Sequence, residues 1–228
     1  MERNIDMKEV SDGKLYTSND MVKADCGGCE GCSACCRGMG ESIVLDPLDI
    51  HRLCCGLETD FNGLMVDKIE LNIVDCLILP NLKMAGEKEA CSFLNKDGRC
   101  SIHGFRPGIC RLFPLGRIYE DGSFKYFLQV HECPKPDKAK VKVKKWLDTP
   151  DLKQYEAFVR DWHYYLKDLE NQVKTLTDKL KNIDGTWNQR TAEMQQKVAQ
   201  SDSVINGLKE ENQKLKNELI VAQKKVKA

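Results

Sequence analysis

Residues 26–36 read C-G-G-C-E-G-C-S-A-C-C, five thiols within eleven residues. Each Cys-x2-Cys step lets a tight turn aim two sulfurs at one point, the spacing by which proteins seat tetrahedral zinc or an iron of an iron-sulfur cluster. Gly27, Gly28 and Gly31, with Ser33 and Ala34, keep the backbone bare, so amide groups can approach the sulfurs and hydrogen-bond to them. This run predicts a domain organised around bound metal.

A second segment carries the complementary thiols. Residues 91–114 read C-S-F-L-N-K-D-G-R-C-S-I-H-G-F-R-P-G-I-C-R-L-F-P, with Cys91, Cys100 and Cys110. Asn95 to Gly98 reads as a turn that folds Cys91 and Cys100 toward each other, and Pro107-Gly108 bends the chain again before Cys110. A hairpin of residues 117–119 and 124–130 through Asp121-Gly122 then delivers Cys133. Cys29, Cys32, Cys35, Cys36, Cys91, Cys100, Cys110 and Cys133 thus make eight ligands, enough for two zincs, two four-iron clusters, or one of each. Consecutive side chains tend to diverge, so Cys35 and Cys36 are expected to serve different metals or different irons.

Twelve cysteines would suit a disulfide scaffold in a secreted chain. Residues 1–20, however, are polar with no apolar h-region, which predicts cytoplasmic residence and free thiols. A formal net charge of zero offers no broad cationic field, so neither nucleic acid nor a membrane is an expected partner.

The elements between the cysteines predict an α+β fold: a small Cys-rich domain with short helices and a β-hairpin, followed by a long C-terminal helical coiled coil. Ser42 to Leu45 reads as a short strand. Asp46-Pro47 starts a helix to about Cys55, residues 61–68 make a further helical turn or two, and Ile69 to Leu79 makes one or two strands. Residues 1–25 form an extended segment anchored by Tyr16 and Met21, residues 26–145 the metal-binding domain, and residues 146–228 the coil. The lysine-rich stretch 135–145 reads as a solvated linker.

Beyond it apolar residues recur at four-then-three spacing through Tyr155, Val159, Trp162, Leu166, Leu169, Val173, Leu176, Leu180, Ile183 and Trp187. After a four-residue stutter the pattern resumes at Val198, Ile205, Leu208, Leu215, Leu219 and Val226. Asn212 at an a position, with Glu211 and Lys216 flanking the seam, predicts a parallel homodimer about 110 Å long if continuous. A hairpin folding back at Gly185 is the alternative.

Two rival ligation chemistries stay open. Cys26, Cys29, Cys32 and Cys36 reproduce the bacterial ferredoxin run C-x2-C-x2-C-x3-C, with Arg37 where proline is expected. That spacing, and a ligand set without histidine, favour an iron-sulfur cluster, 4Fe-4S in type, over zinc. As a set, C-E-G-C-S-A-C-C, then C-S-F-L with G-R-C-S-I-H-G-F-R-P-G-I-C-R-L-F-P, then E-C-P, resembles the YkgJ-type cysteine-cluster family, the zinc- or iron-chelating CxxCxxCC domain, over residues 26–134.

Carried over by position, the resemblance implies the same eight cysteines as metal ligands. It leaves out Cys26, Cys54, Cys55 and Cys76, and His103, which stands where many members have tyrosine, is not implied as a ligand. Arg106 and Arg111, bracketing Cys110, are candidate cofactor-binding residues that can offset thiolate charge or receive an anionic substrate. His51, His131 and His163 show no partner spacing. The resemblance extends to flagellin lysine N-methylases, which makes methyl transfer from S-adenosylmethionine to a protein substrate an alternative, although no glycine-rich nucleotide turn is evident. Ferredoxin-like electron transfer is a second alternative.

Overall fold

Local rules place most of the elements. The computed structural model describes residues 6–27, 32–86 and 89–226. In order, these form α1 (Met7–Val10), β1 (Ser11–Tyr16), β2 (Met21–Asp25), α2 (Pro47–Leu57), α3 (Phe61–Asp67), β3 (Ile69–Val74), β4 (Leu77–Leu82), β5 (Met84–Ala85), β6 (Ala90–Cys91), α4 (Gly108–Leu112), β7 (Leu115–Glu120), β8 (Ser123–Gln129), β9 (Ala139–Lys142), α5 (Val143–Leu147) and α6 (Leu152–Val226). The fold is α+β, with a small strand-rich N-terminal region and a long C-terminal helix. No helix among the described residues is long and apolar enough to cross a membrane.

Asp46 and Asp49 form a reciprocal capping box at the start of α2, with proline in the first turn. Asp60 caps α3 by accepting the Gly63 amide. Asp121 and Gly122 both adopt positive φ, the geometry a two-residue turn needs to match strand twist, and they join β7 to β8 in the predicted hairpin. The stretch 69–82 makes a second hairpin, β3–β4, turning at Asp75 and Cys76. Residues 42–45 lie along its open edge instead of forming a full strand, through Leu45 N–H to Pro80 O (2.8 Å) and Leu82 N–H to Ile43 O (3.0 Å).

Met1–Asn171 form one compact unit and Gln172–Ala228 another. Inside the first are two apolar cores. The first gathers Tyr16, Val22, Ala24, Leu112, Leu115, Tyr126, Leu128, Val143 and Leu147 from the three-stranded sheet β1-β8-β7, the pair β2-β9, α4 and α5. The second gathers Ile43, Leu45, Leu53, Leu64, Ile69, Leu82, Phe93 and Ile102 from α2, α3, the β3–β4 hairpin and the loops around them.

Three sequence expectations change here. Within 135–145, residues 139–142 pair with β2, and Val143 and Leu147 are fully buried, so apolar spacing overrides the surrounding lysines. Met21 is 48% exposed, and Val22 and Ala24 anchor that strand instead, because the pleat sends alternate residues to opposite faces. Tyr155 and Val159 are buried inside the first unit, so the heptad pattern's opening positions serve a globular core.

Buried contacts tie the start of α6 to the sheet. Arg117 Nη2 donates to Tyr155 Oη at 3.2 Å and Tyr126 Oη to Glu156 at 2.9 Å. A Cβ at Gly108 would overlap the Tyr155 hydroxyl. The Gly108→Ala variant is therefore expected to lose about 1–3 kcal/mol through forced overpacking, seen as a lower urea midpoint at unchanged m-value.

Candidate metal centre

Backbone pairing brings the two cysteine segments together. Arg37 and Ala90 form an antiparallel bridge, and Gly38 N–H donates to Glu89 O at 3.0 Å. The bridge joins the residues next to Cys36 and Cys91, and the other side of Cys91 pairs with Met84. The Asn95–Gly98 turn forms as expected: the Asn95 side chain accepts the Asp97 and Arg99 amides, Gly98 takes positive φ, and Leu94 bridges Cys100. Cys110 lies on α4, whose start is fixed by Gly108 N–H donating 2.8 Å to the buried Asp49 carboxylate.

Five thiols share one electrostatic environment. Cys36 feels the charges of Cys35, Cys100 and Cys91, and Cys110 feels those of Cys91, Cys100 and Cys35. Residues 34–36 turn as a 3-10 helix, so Cys35 and Cys36 do not diverge as strand neighbours would; their thiols hydrogen-bond. That bond, donated by Cys36, pulls Cys35 down to about 6 and pushes Cys36 up. Burial raises Cys91, Cys100 and Cys110. Opposing it, the Phe93 amide donates to Cys91 and the Ile102 amide to Cys100, each two residues beyond its cysteine, an arrangement that orients sulfur ligands and stabilises their thiolates.

The arginines have separate roles. Arg106 lowers both Cys35 and Cys100 by its charge and hydrogen-bonds His103 Nε2 at 2.8 Å. Arg111 is directed elsewhere, donating to the carbonyls of Arg106 (3.3 Å), Asp148 (2.9 Å) and Gly104. It thereby fixes the loop that leads to Cys110.

Cys32 and Cys133 are half-buried and are not among the charges felt most strongly by the other five. Cys29 lies outside the described residues. Among the described residues no three His, Cys, Asp or Glu side chains are arranged as a ready ligand set. The chemistry of the donors nevertheless fits a thiophilic cation: desolvated thiols resist ionisation, and bound metal supplies the missing countercharge. Outside this set, His51 and Cys55 stand one turn apart on α2, an i, i+4 pair visible in the sequence once that helix is placed.

Asp49, 2% exposed, is raised to about 7, first by burial and then by the Asp46 charge. An unfolded aspartate titrates near 3.9, so between about pH 4 and 7 the folded chain retains a proton that the unfolded chain releases. Stability then falls as pH rises through that window, by on the order of 1.4 kcal/mol per unit. Urea unfolding between pH 4 and 8 is expected to show this slope in the parent and its loss in Asp49→Asn.

A mixed fold with clustered thiols at the meeting of two loops defines a cysteine-cluster metal-binding domain. Residues 28–134 match the model of the CxxCxxCC family, described as a "Putative zinc- or iron-chelating domain". The chain is also similar to the uncharacterized protein YgiM of Escherichia coli K12 and of E. coli O157:H7, 95% identical over 61 residues, 27% of this chain and 30% of the relative. An uncharacterized protein of Haemophilus influenzae is 44% identical over 57 residues, 25% of this chain and 28% of the relative. The chain thus spans less than a third of the length of these relatives. No solved structure matches it.

Proposed function

We propose that the chain is a cytoplasmic metal-binding protein in which Cys29, Cys32, Cys35, Cys36, Cys91, Cys100, Cys110 and Cys133 hold an iron-sulfur cluster or zinc, the cluster favoured, and in which residues 172–226 pair two copies as a coiled coil. The observation that carries the reading is that Cys35, Cys36, Cys91, Cys100 and Cys110, from two segments joined by the Arg37–Ala90 bridge, feel one another's charges. When bound, the metal supplies positive charge that the buried sulfurs lack. The chain's own residues position it: amides of Phe93 and Ile102 orient the sulfurs of Cys91 and Cys100, Arg106 offsets charge at Cys35 and Cys100, and Asp49 holds the helix of Cys110.

Anaerobic purification followed by an absorbance spectrum and elemental analysis tests this directly. A brown protein absorbing near 400 nm with stoichiometric iron supports a cluster, and a colourless protein with stoichiometric zinc supports zinc. Absence of both metals refutes the proposal.

A further inference from the structure

Helix α2 carries a histidine and a cysteine side by side on its exposed face, outside the cysteine centre. His51 and Cys55 are four residues apart, so helical geometry stacks them on one face. The Cys55 sulfur lies 3.9 Å from His51 Nδ1 and 3.8 Å from Nε2. Zinc–sulfur bonds are about 2.3 Å and zinc–nitrogen bonds about 2.0–2.1 Å, which a tetrahedral ion combines into an S···N separation of about 3.6 Å, close to the distance already present. Near equidistance of the sulfur from both nitrogens puts it on neither lone-pair axis, so a turn of the exposed imidazole is the step that aims one nitrogen at a shared ion.

We propose that His51 and Cys55 form a surface site for a borderline divalent cation, zinc above all. A thiolate with an imidazole suits zinc, whereas magnesium and calcium demand oxygen. No third His, Cys, Asp or Glu among the described residues joins them. Solvent completes the coordination, and the ion is exchangeable rather than structural. Binding displaces the thiol proton to solvent, so uptake weakens as pH falls. The neighbouring Cys54 turns inward and packs against the second core, which leaves Cys55 as this helix's outward sulfur.

Calorimetric titration of the full-length chain with zinc chloride at neutral pH tests the site. The parent is expected to take up one equivalent more than His51→Ala and one more than Cys55→Ser. Cys76→Ser, which removes another exposed thiol, is expected to match the parent. Because the readout is a difference between chains with the same cysteine centre, it stands whatever that centre holds. Equal stoichiometry in the parent, His51→Ala and Cys55→Ser overturns the proposal, as does an equal loss in Cys76→Ser. Unchanged far-ultraviolet dichroism in all variants excludes unfolding as the cause.

Discussion

Stripping the proposed metal with a chelator under anaerobic conditions is expected to open the second apolar core while the first stays closed. Native-state hydrogen exchange is the measurement: amides of Leu53, Leu64, Ile69, Leu82 and Ile102 lose protection, whereas those of Leu115, Tyr126 and Leu128 keep theirs. The asymmetry follows from where the sulfur lies. Cys91, Cys100 and Cys110 pack against the second core, and the first core includes none of them. The first core rests on a three-stranded sheet with a regular two-residue hairpin, and its closure needs only side chains and a strand ladder.

The second core is closed by loops. Residues 34–37 meet residues 90–91 through one bridge, and residues 94 and 100 meet through another. Without a countercharge, these loops hold desolvated thiols beside one another at a cost in stability. Structural zinc contributes on the order of 10–16 kcal/mol in small peptide sites, more than the whole net stability of many domains. Cys36→Ser combined with Cys91→Ser should reproduce the chelator's effect. Simultaneous loss of protection in both cores, or none in either, would count against metal as the second core's fastener.

How far the sequence foretold this arrangement depended on the range of each interaction. The helix start at Asp46-Pro47, the Asn95–Gly98 turn and the Asp121-Gly122 hairpin are each decided within a few residues, and all three form as predicted. The meeting of the Cys36 and Cys91 segments could be anticipated only as a convergence, because it depends on the Arg37–Ala90 bridge between residues more than fifty positions apart. The β2–β9 ladder was hidden for the same reason, and the lysines around Val141 and Val143 masked it further.

Apolar periodicity misled in one place, since Tyr155 and Val159 satisfy a heptad and also fill a globular core. Among the candidate arginines, type and spacing could not separate Arg106 from Arg111. The carbonyl groups that engage Arg111 come from Gly104, Arg106 and Asp148, and only the folded chain brings the last of these near. His51 and Cys55 were readable in principle, as i, i+4 partners, but only after the helix was placed.

The other large effect concerns the second unit. Leu180→Glu combined with Ile183→Glu is expected to convert a dimer into a monomer in sedimentation equilibrium and to lower the helical signal contributed by residues 172–226. Both side chains are more than 60% exposed on α6, and Leu176, Trp187, Val198, Leu208 and Leu215 continue the exposed apolar series. A helix bearing such a stripe gains most of its stability from burying it against another surface. In the proposed dimer that surface is a second parallel copy, the arrangement that Asn212 among leucines, with Glu211 and Lys216 beside the seam, favours. The side chains of Leu219 and Val226, which the heptad also assigns to the seam, lie outside the described residues.

Fully burying a leucine or isoleucine is worth about 1.5–3 kcal/mol, so removing two from each chain of a dimer forfeits on the order of 6–12 kcal/mol before charge repulsion is counted. Each 1.4 kcal/mol is a factor of ten in the dissociation constant, which places the loss at four orders of magnitude or more. Lys181→Glu with Asn182→Glu sets the same carboxylates on the outer face of the heptad and should leave the dimer intact. Gly185→Ala should strengthen it slightly, because a Cβ there meets nothing within 4 Å and alanine favours the helix by roughly 1 kcal/mol. A parent chain that sediments as a monomer at micromolar concentration, or outer-face and seam variants that behave alike, would remove the coiled-coil dimer from the account.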